Sequence, residues 1–305
     1  MNATGPTIGV FDSGFGGLTV LRELLPLAAG SHCVYLGDTA RLPYGSKSRE
    51  TIVRYALSSA RFLEQRGAEL LVVACNTATA LALDDLRQAL TIPVVGVIQP
   101  GVEAASAACS EDGTAVDRLM PPMVLVLATQ ATIESHAYAR ACAKLGLRAT
   151  EKACPLLVPL VEEGWIGEEA PGEKMPGKIA SAGDAARASV TAQVLRIYLG
   201  EALCEAPASR ALLLGCTHYP LLRQAIERTL AELGHPLRVI DSAQATARAV
   251  ERVLLEQGIA RGGRAGAGDA TCEFFATDSV QKFERLGPRF LGRPVGKVQL
   301  VDLGG

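Results

Sequence analysis

Residues 71–80 read LVVACNTATA, and residues 212–221 read LLLGCTHYPL. Each stretch runs from a short apolar segment, through one small residue, into a cysteine, a polar residue and the start of an amphipathic segment. A short run rich in Val and Leu predicts a buried strand, and the segment after it predicts a helix. Strand followed by helix is the repeating unit of an open parallel sheet, so both stretches indicate an α/β fold.

The same alternation of strand and helix extends along most of the chain. Amphipathic segments such as residues 47–65 and 219–233 predict helices, and a last strand–helix–strand pattern starts at residue 271. The apolar runs are continuous rather than alternating, which is typical of strands covered by helices on both faces, and their connections should be right-handed crossovers. We therefore predict a doubly wound parallel α/β class. Strands are predicted at residues 7–11, 33–37, 70–74, 94–97, 123–128, 211–215 and 237–240.

Three stretches interrupt this rhythm. Residues 110–122 are polar and end in a pair of prolines, residues 166–182 are rich in Gly, Pro, Glu and Lys, and residues 261–270 read RGGRAGAGDA. Such compositions favour exposed loops.

Composition narrows the classes of function. The 305 residues are 49% hydrophobic and carry a formal net charge of -2, without the cationic surplus that a nucleic-acid surface needs. Polar residues interrupt every apolar run before it reaches membrane-spanning length. Residues 1–9 contain neither a basic nor an apolar signal region, so we expect a cytoplasmic protein. Its eight cysteines show no CxxC or zinc-ligand spacing, which predicts free thiols and no metal.

Cys75 and Cys216 stand apart from the other cysteines. Each is predicted just past a strand and at a helix start, where the helix dipole favours the thiolate. The carboxyl ends of parallel strands are where such folds bind ligands. Two similar half-sites facing one cleft suit the removal of a proton from one face of a small molecule and its return to the other. The remaining cysteines are interpreted as small buried core residues: Cys33, Cys109, Cys142, Cys154, Cys204 and Cys272.

Two further stretches carry candidate substrate contacts. Residues 9–18 (GVFDSGFGGL) do not match the dinucleotide spacing GxGxxG. There, Asp12 and Ser13 form either a helix cap, or a site in which Ser13 and nearby amides bind a carboxylate while Asp12 takes an ammonium or tunes a thiol. Residues 43–47 (PYGSK) are either a surface turn or a loop that brings the Tyr44 hydroxyl and the Gly45 amide into the cleft.

The remaining candidates have equally simple structural interpretations. His218 either has no role or assists proton transfer at the adjacent thiol. Glu162 and Glu163 are most simply a helix end at the surface. Thr129 and Thr132 fit a helix cap.

Taken together, the motifs resemble the cofactor-independent glutamate racemases of the aspartate/glutamate racemase superfamily. That resemblance implies two similar doubly wound parallel-sheet domains with the active site in the cleft between them. One domain would comprise residues 1–98 plus 239–305 and carry Cys75, and the other would comprise residues 99–238 and carry Cys216. The resemblance rests on GVFDSGFGGLTV, GDTARLPYGSKS, VVACNTATA, PVVGVIQP, CPLLVPLVEEG, LLLGCTHYPLL and VIDSA.

Residue roles follow from this resemblance. Cys75 resembles the thiol that takes the α-proton from D-glutamate, and Cys216 resembles the thiol that serves L-glutamate. Asp12 and His218 resemble groups that assist the thiols and contact substrate, and Glu162 resembles a further acidic helper. The remaining positions that hold substrate in relatives are Ser13, Tyr44, Gly45, Asn76, Thr77, Thr132 and Thr217.

The resemblance also implies partners and location. We expect a small-molecule substrate, L- or D-glutamate, no cofactor, and a role in supplying D-glutamate for peptidoglycan in the bacterial cytoplasm. Neither nucleic acid nor membrane is expected as a partner, and a homodimer is retained as one alternative for the assembly. If both thiols act as bases, each should titrate below the ordinary value of about 8.5.

This chain departs from the family pattern in two places. Ala128 stands where relatives usually have Gly, and the loops 110–122 and 166–182 look longer than usual. Three rival functions remain open: a racemase acting on aspartate, a cysteine hydrolase with one nucleophilic thiol, and an amino-acid binding module. His218 favours glutamate over aspartate, because relatives acting on aspartate more often have an acidic residue after the second Cys-Thr.

Overall fold

A computed structural model describes residues 5–111, 121–166, 182–259 and 269–304. The predicted loops 110–122, 166–182 and 261–270 lie largely outside the described residues. Among the helices described, none combines the length and apolar character that crossing a lipid bilayer requires.

All strand pairs in the described residues are parallel, and they form two sheets. The strands are β1 (Thr7–Asp12), β2 (His32–Gly37), β3 (Leu70–Val73), β4 (Val94–Gly96), β5 (Met123–Ala128), β6 (Arg148–Ala153), β7 (Ser209–Gly215), β8 (Arg238–Asp241), β9 (Thr271–Ala276) and β10 (Val298–Leu300). The first sheet has six strands in the order β10-β9-β2-β1-β3-β4, and the second has four in the order β6-β5-β7-β8.

Helices connect the strands and cover the sheets. They are α1 (Leu18–Leu24), α2 (Arg49–Gln65), α3 (Asn76–Ala89), α4 (Ile98–Glu111), α5 (Gln130–Glu134), α6 (Ala137–Lys144), α7 (Leu157–Glu162), α8 (Ala182–Glu205), α9 (Arg223–Glu232), α10 (Ala243–Glu256) and α11 (Val280–Leu291). Three 3-10 turns add Thr39–Arg41, Tyr44–Ser46 and Tyr219–Leu222.

The predicted fold class is confirmed: the protein is α/β and has two parallel-sheet domains. Each predicted strand is present, as is the strand–helix–strand pattern after residue 271. All four residues of β3 are buried, in keeping with its unbroken apolar sequence. The prediction missed β6, whose sequence RATEKA is polar because the strand lies at a sheet edge and is only partly buried.

The chain returns to the first sheet later than predicted. Strand β8 pairs with β7 in the second sheet, whereas the predicted division assigned residues from 239 onward to the first domain. The pairing continues through Asp241, so that part of the division is wrong. The remaining boundaries stay a prediction.

The site residues follow the carboxyl ends of the central strands. In the first sheet β1 lies between β2 and β3, and in the second sheet β7 lies between β5 and β8. Asp12 is the last residue of β1, and Cys75 and Cys216 lie in the segments that follow β3 and β7. The loop after β1 is held against β2 because the Tyr35 hydroxyl donates to the Gly14 carbonyl over 3.0 Å.

Candidate active site

The last residue of β1 places a buried carboxylate at the carboxyl end of the first sheet. Asp12 is 1% exposed, and its Oδ2 accepts a hydrogen bond from the Gly14 amide at 3.0 Å. Its Oδ1 is buried and has no hydrogen-bond partner among the described residues. Burial raises the pKa of Asp12, while the His218 charge and the amides of Gly17, Gly14 and Ser13 oppose the rise. Asp12 therefore presents an unpaired acceptor that a cationic group would satisfy.

Cys75 caps the helix that follows β3. It is the N-cap of α3, and its Sγ accepts from the Ala78 amide at 3.4 Å, as the predicted helix-start position requires. The thiol also donates to the Ser13 hydroxyl over 3.5 Å. Ser13 and Cys75, predicted from separate motifs, therefore meet.

The expectation of a lowered thiol pKa is wrong for Cys75. Burial and the neighbouring Asp12 carboxylate raise the pKa of Cys75 to about 12, against the opposing hydrogen bonds from Ser13 and Ala78. Loss of hydration and the negative charge of Asp12 both disfavour the Cys75 thiolate. Together they outweigh the favourable effect of the helix dipole, which is smaller. At neutral pH and without substrate, Cys75 is a protonated thiol.

The second cysteine does not start an α-helix. Cys216 follows β7, and the next elements are the 3-10 turn Tyr219–Leu222 and then α9, so the predicted helix 219–233 is in part a 3-10 turn. A helix dipole is therefore not what acts on this thiol. Instead, Cys216 Sγ lies 4.0 Å from Nδ1 of His218, whose Nε2 lies 3.3 Å from Oε1 of Glu162.

Cys216, His218 and Glu162 form a relay of three polar groups, in which each contacts the next. Burial acts to lower the pKa of His218, but its hydrogen bonds and charge interactions with Cys216 and Glu162 raise it to about 10. Burial acts to raise the pKa of Glu162, yet His218 and Lys282 more than offset this and lower it. His218 is therefore an imidazolium at neutral pH, and a cation beside a sulfur atom stabilises negative charge on that sulfur.

A glycine in the β1 loop brings the two cysteine segments together. A Cβ at Gly16 would lie 2.3 Å from Thr217 Oγ1 and 2.6 Å from His218 Nδ1, so only a residue without a side chain fits there. Thr19 of α1 also donates to the Thr217 carbonyl over 3.4 Å. The same short loop thus contacts Cys75 through Ser13 and the Cys216 segment through Gly16.

We expect Gly16→Ala to separate these segments. The added methyl group must displace Thr217 and His218. If catalysis depends on the placement of these two residues, kcat/KM should fall about 10²-fold. Overpacking should also lower the free energy of unfolding by about 1–3 kcal/mol. Kinetics and thermal denaturation measure both effects. Gly200→Ala is the matched control, because nothing lies within 4 Å of a Cβ there. Unchanged activity in Gly16→Ala would show that this contact has no role in positioning the site.

On another side of the site, hydroxyl and amide groups form hydrogen bonds between α3 and the segments that follow β5. Thr77 Oγ1 lies 3.0 Å from Thr129 Oγ1 and 3.1 Å from Thr132 Oγ1, and the latter two lie 2.9 Å apart. Asn76 Nδ2 donates to the Tyr138 hydroxyl over 2.6 Å. Residues from α3 thereby contact residues that follow β5, so the predicted Asn76, Thr77 and Thr132 lie in one cluster.

Tyr44 and Gly45 lie at the edge of this cluster. The Tyr44 hydroxyl is buried and donates to Asp38 Oδ2, so its proton is directed to Asp38 rather than into an open cleft. A Cβ at Gly45 would lie 2.8 Å from the Thr129 Cβ, so this turn packs closely against Thr129. The tight packing explains why a glycine follows Tyr44.

A cavity of about 470 Å³ adjoins these groups. Its walls come from both halves of the chain and include Phe15, Gly45, Thr129, Glu162 and Lys282. The two thiols are not among its lining residues. A larger groove of about 700 Å³ runs along α2 and the C-terminal residues and contains none of the predicted site residues. The smaller cavity is therefore the approach to the site.

The structure adds residues that the sequence analysis did not single out. Tyr138 is held by Asn76, Asp38 by Tyr44, and Lys282 by Glu162, whose Oε2 lies 2.7 Å from the Lys282 Nζ. Asn76 and Tyr138, and likewise Glu162 and Lys282, are far apart in sequence, so no local pattern indicates their contacts, whereas Asp38 and Tyr44 lie within the single motif GDTARLPYGSKS. Within the described residues, no three His, Cys, Asp or Glu side chains are grouped so as to hold a metal ion.

The other cysteines are mostly core residues, as expected. Cys33, Cys109, Cys142 and Cys154 are buried, and Cys272 is partly buried. Cys204 is exposed, so its interpretation as a buried core residue is wrong. It lies near the end of α8, where its side chain faces solvent. No disulfide bond joins any of the cysteines in the described residues.

Comparisons with known proteins agree with this architecture. Residues 8–250 match the family described as Asp/Glu/Hydantoin racemase. A glutamate racemase of Koribacter versatilis (strain Ellin345) is 44% identical, with 100% of both chains covered. The crystal structure of a glutamate racemase from Francisella tularensis subsp. tularensis SCHU S4 in complex with D-glutamate matches with a TM-score of 0.78 and 30% identity over 99% of each chain. A glutamate racemase from Thermus thermophilus in complex with beta-chloro-D-alanine matches with a TM-score of 0.76 and 37% identity, again over 99% of each chain.

The two-domain parallel α/β fold of this chain is thus shared with solved glutamate racemases. The chain belongs to the Asp/Glu/hydantoin racemase family. The predicted resemblance to glutamate racemases is confirmed, and so is the predicted enzyme class, an amino-acid racemase.

Proposed function

We propose that this protein interconverts L- and D-glutamate in the bacterial cytoplasm by a cofactor-independent proton transfer between Cys75 and Cys216, and that its D-glutamate serves peptidoglycan synthesis. The substrate is supported by full-length similarity to glutamate racemases and by the solved relative in complex with D-glutamate. The observation that carries the mechanism is the loop after β1, which contacts Cys75 through Ser13 and the Cys216 segment through Gly16.

Asp12 binds the substrate ammonium in this scheme. Its unpaired Oδ1 is the buried acceptor that such a cation would satisfy. Burial and the Asp12 charge both raise the pKa of Cys75, and a positive charge at Asp12 offsets the second of these causes. Substrate binding therefore makes the Cys75 thiol more acidic when it is needed as a base.

Cys216 is prepared differently, by a cation that belongs to the protein. The His218 imidazolium, held by Glu162, lies beside its sulfur. In this scheme the imidazolium stabilises the negative charge that Cys216 carries as the base for L-glutamate, and Cys75, whose pKa is raised by burial and Asp12, is the thiol that serves D-glutamate. The two directions of reaction use the two thiols in opposite protonation states.

The proton transfer from L-glutamate balances as follows. The Cys216 thiolate takes the α-proton, and the C–H electron pair is delocalised into the α-carboxylate. The Cys75 thiol then delivers its proton to the opposite face of the planar carbon, which forms the new C–H bond and leaves a Cys75 thiolate. The negative charge has moved from one sulfur to the other, and the free enzyme must exchange one proton with solvent to reset.

Stabilisation of the carboxylate charge falls to neutral donors. The α-proton of an amino acid is very weakly acidic, so the developing charge needs preorganised hydrogen bonds in a site from which water is excluded. Thr77, Thr129, Thr132 and Asn76 are hydrogen-bonded to one another or to Tyr138 in the substrate-free arrangement. In the proposed complex, Ser13, Thr217 and members of this cluster donate to the carboxylates.

Reaction in deuterium oxide tests the function. Starting from pure L- or D-glutamate, the mixture should reach a 1:1 ratio of enantiomers, because these have equal free energy in water, and the product should carry deuterium at the α-carbon. Circular dichroism and proton NMR follow both changes. Added pyridoxal phosphate should change neither rate, and a requirement for it contradicts the proposal.

The same experiment separates the rival functions. Faster racemisation of aspartate in a panel of amino acids would assign the enzyme to that substrate. A cysteine hydrolase would form an acyl-enzyme on a single cysteine and would not exchange the α-proton. A binding module would show affinity for glutamate without any exchange.

A further inference from the structure

Lys282 contacts the proposed relay from the C-terminal part of the chain. It lies in α11, which packs against α1 and β10 beside the first sheet, and its Nζ lies 2.7 Å from Oε2 of Glu162. Glu162 ends α7, which packs against the 3-10 turn that follows Cys216. The ion pair therefore joins α11, which lies beside the first sheet, to α7, which follows β6 of the second sheet.

The Glu162 carboxylate is shared between two cations. Its Oε1 faces Nε2 of His218 at 3.3 Å, while its Oε2 is bound by Lys282. Glu162 is 15% exposed and Lys282 is 38% exposed, so the carboxylate is largely shielded from solvent and the ammonium is partly hydrated. With one oxygen anchored by Lys282, the carboxylate plane is oriented so that the other oxygen faces the imidazole.

A second contact connects Lys282 to the same histidine through the Phe15 ring. Its Nζ lies 5.6 Å from the centre of the Phe15 ring, and that ring lies 6.0 Å from the His218 ring. Phe15, Glu162 and Lys282 also line the 470 Å³ cavity together. Lys282 thus borders the approach to the site and contacts two of the groups that pack on His218, Glu162 and Phe15.

We propose that Lys282 is a positioning residue for the racemase reaction: it holds Glu162 against His218, and His218 in turn stabilises the thiolate of Cys216. The inference rests on the proposed function, because it assigns Lys282 a role through the Cys216 base. Because the Lys282 ammonium is partly hydrated and Glu162 keeps His218 as a second cation, loss of the Lys282 contact should change the free energy of unfolding little. The effect of Lys282 should therefore appear in catalysis rather than in stability.

The sign of the pH effect follows from the surrounding charges. Two cations face Glu162: His218, from the segment after β7, and Lys282, from α11. Glu163 follows it in sequence, and Arg289 of α11 approaches the backbone at Gly164. Lys282 lowers the pKa of Glu162, so its removal raises that pKa. The acidic limb of kcat/KM should then move to higher pH.

The test compares Lys282→Met, Lys282→Arg and the exposed control Lys297→Met. We expect Lys282→Met to lower kcat about tenfold with KM little changed, and to move the acidic limb upward by about one pH unit. Lys282→Arg should restore most of kcat, since it keeps the cation, and Lys297→Met should match the wild type. Thermal denaturation should give similar melting temperatures for all four proteins.

Alkylation of Cys216 by iodoacetamide, followed by peptide mass spectrometry, supplies a readout that does not depend on the substrate. Lys282→Met should slow alkylation of Cys216 at neutral pH, and Lys282→Arg should not. Wild-type rates and an unmoved pH profile in Lys282→Met would overturn the inference, as would a loss explained by a lower melting temperature and not restored by arginine. If wild-type enzyme fails to racemise glutamate, the proposed function fails, while the alkylation comparison still decides the role of Lys282.

Discussion

We expect replacement of Cys75 with alanine to abolish racemisation of glutamate in both directions, and we expect the same of Cys216→Ala. This is the expected result if each thiol serves one face of the α-carbon, because inversion requires both a base and an acid on opposite sides. A positioned general acid or base contributes about 10²–10⁴-fold, so the residual rate of either variant should be lower by at least that factor. Circular dichroism from each pure enantiomer measures the loss.

Deuterium exchange sharpens this test. The Cys75→Ala variant keeps the base that faces L-glutamate, so any deuterium it incorporates should remain in L-glutamate. The Cys216→Ala variant should restrict incorporation to D-glutamate. Cys204→Ala is the matched control, because this cysteine is exposed near the end of α8, and it should retain wild-type rates. Either catalytic variant inverting glutamate at the wild-type rate would refute the two-thiol scheme.

Replacing Asp12 with asparagine should have two opposite effects. The Asp12 charge is one cause of the raised pKa of Cys75, so its removal lowers that pKa and should speed alkylation of Cys75 by iodoacetamide. Racemisation should nevertheless fall roughly 10²-fold, because the neutral amide no longer pairs with the substrate ammonium. Kinetics and peptide mass spectrometry on the same protein measure both effects.

Asp84→Asn is the control for this substitution. Asp84 is an exposed carboxylate on α3, the helix that Cys75 caps, so its loss changes the net charge without changing the buried site. Full activity in Asp12→Asn would contradict the ammonium contact. Slower alkylation of Cys75 would contradict the assigned electrostatic effect of Asp12, whatever the activity.

Much of the fold could be predicted because its signals are local. The strands β1, β3, β5 and β7 each contain a continuous apolar run, and such runs are typical of strands that are buried on both faces. Strand β6 escaped prediction for the complementary reason, since an edge strand that is partly exposed has a polar sequence. The end of the second sheet was misplaced because a strand's sequence does not reveal which strand it pairs with.

The sequence motifs predicted which residues belong to the candidate site, but not which of them contact one another. Ser13 and Cys75 were candidates from separate stretches, and their 3.5 Å contact exists only in the folded chain. Lys282 belongs to an amphipathic helix and carries no local mark of its contact with Glu162. A lowered pKa was expected for Cys75 from its helix-start position, yet burial and Asp12 reverse the sign.

The sequence by itself determined the α/β class, the strand-end positions of both cysteines and the family resemblance, because each of these is written in residues adjacent along the chain. Tertiary structure alone decided which carboxylate lies near which thiol, how Lys282 reaches Glu162, and in which direction the pKa values of Cys75, Glu162 and His218 move. The physical reason is that charge interactions and desolvation depend on distance through space, and folding brings together groups that are far apart in sequence.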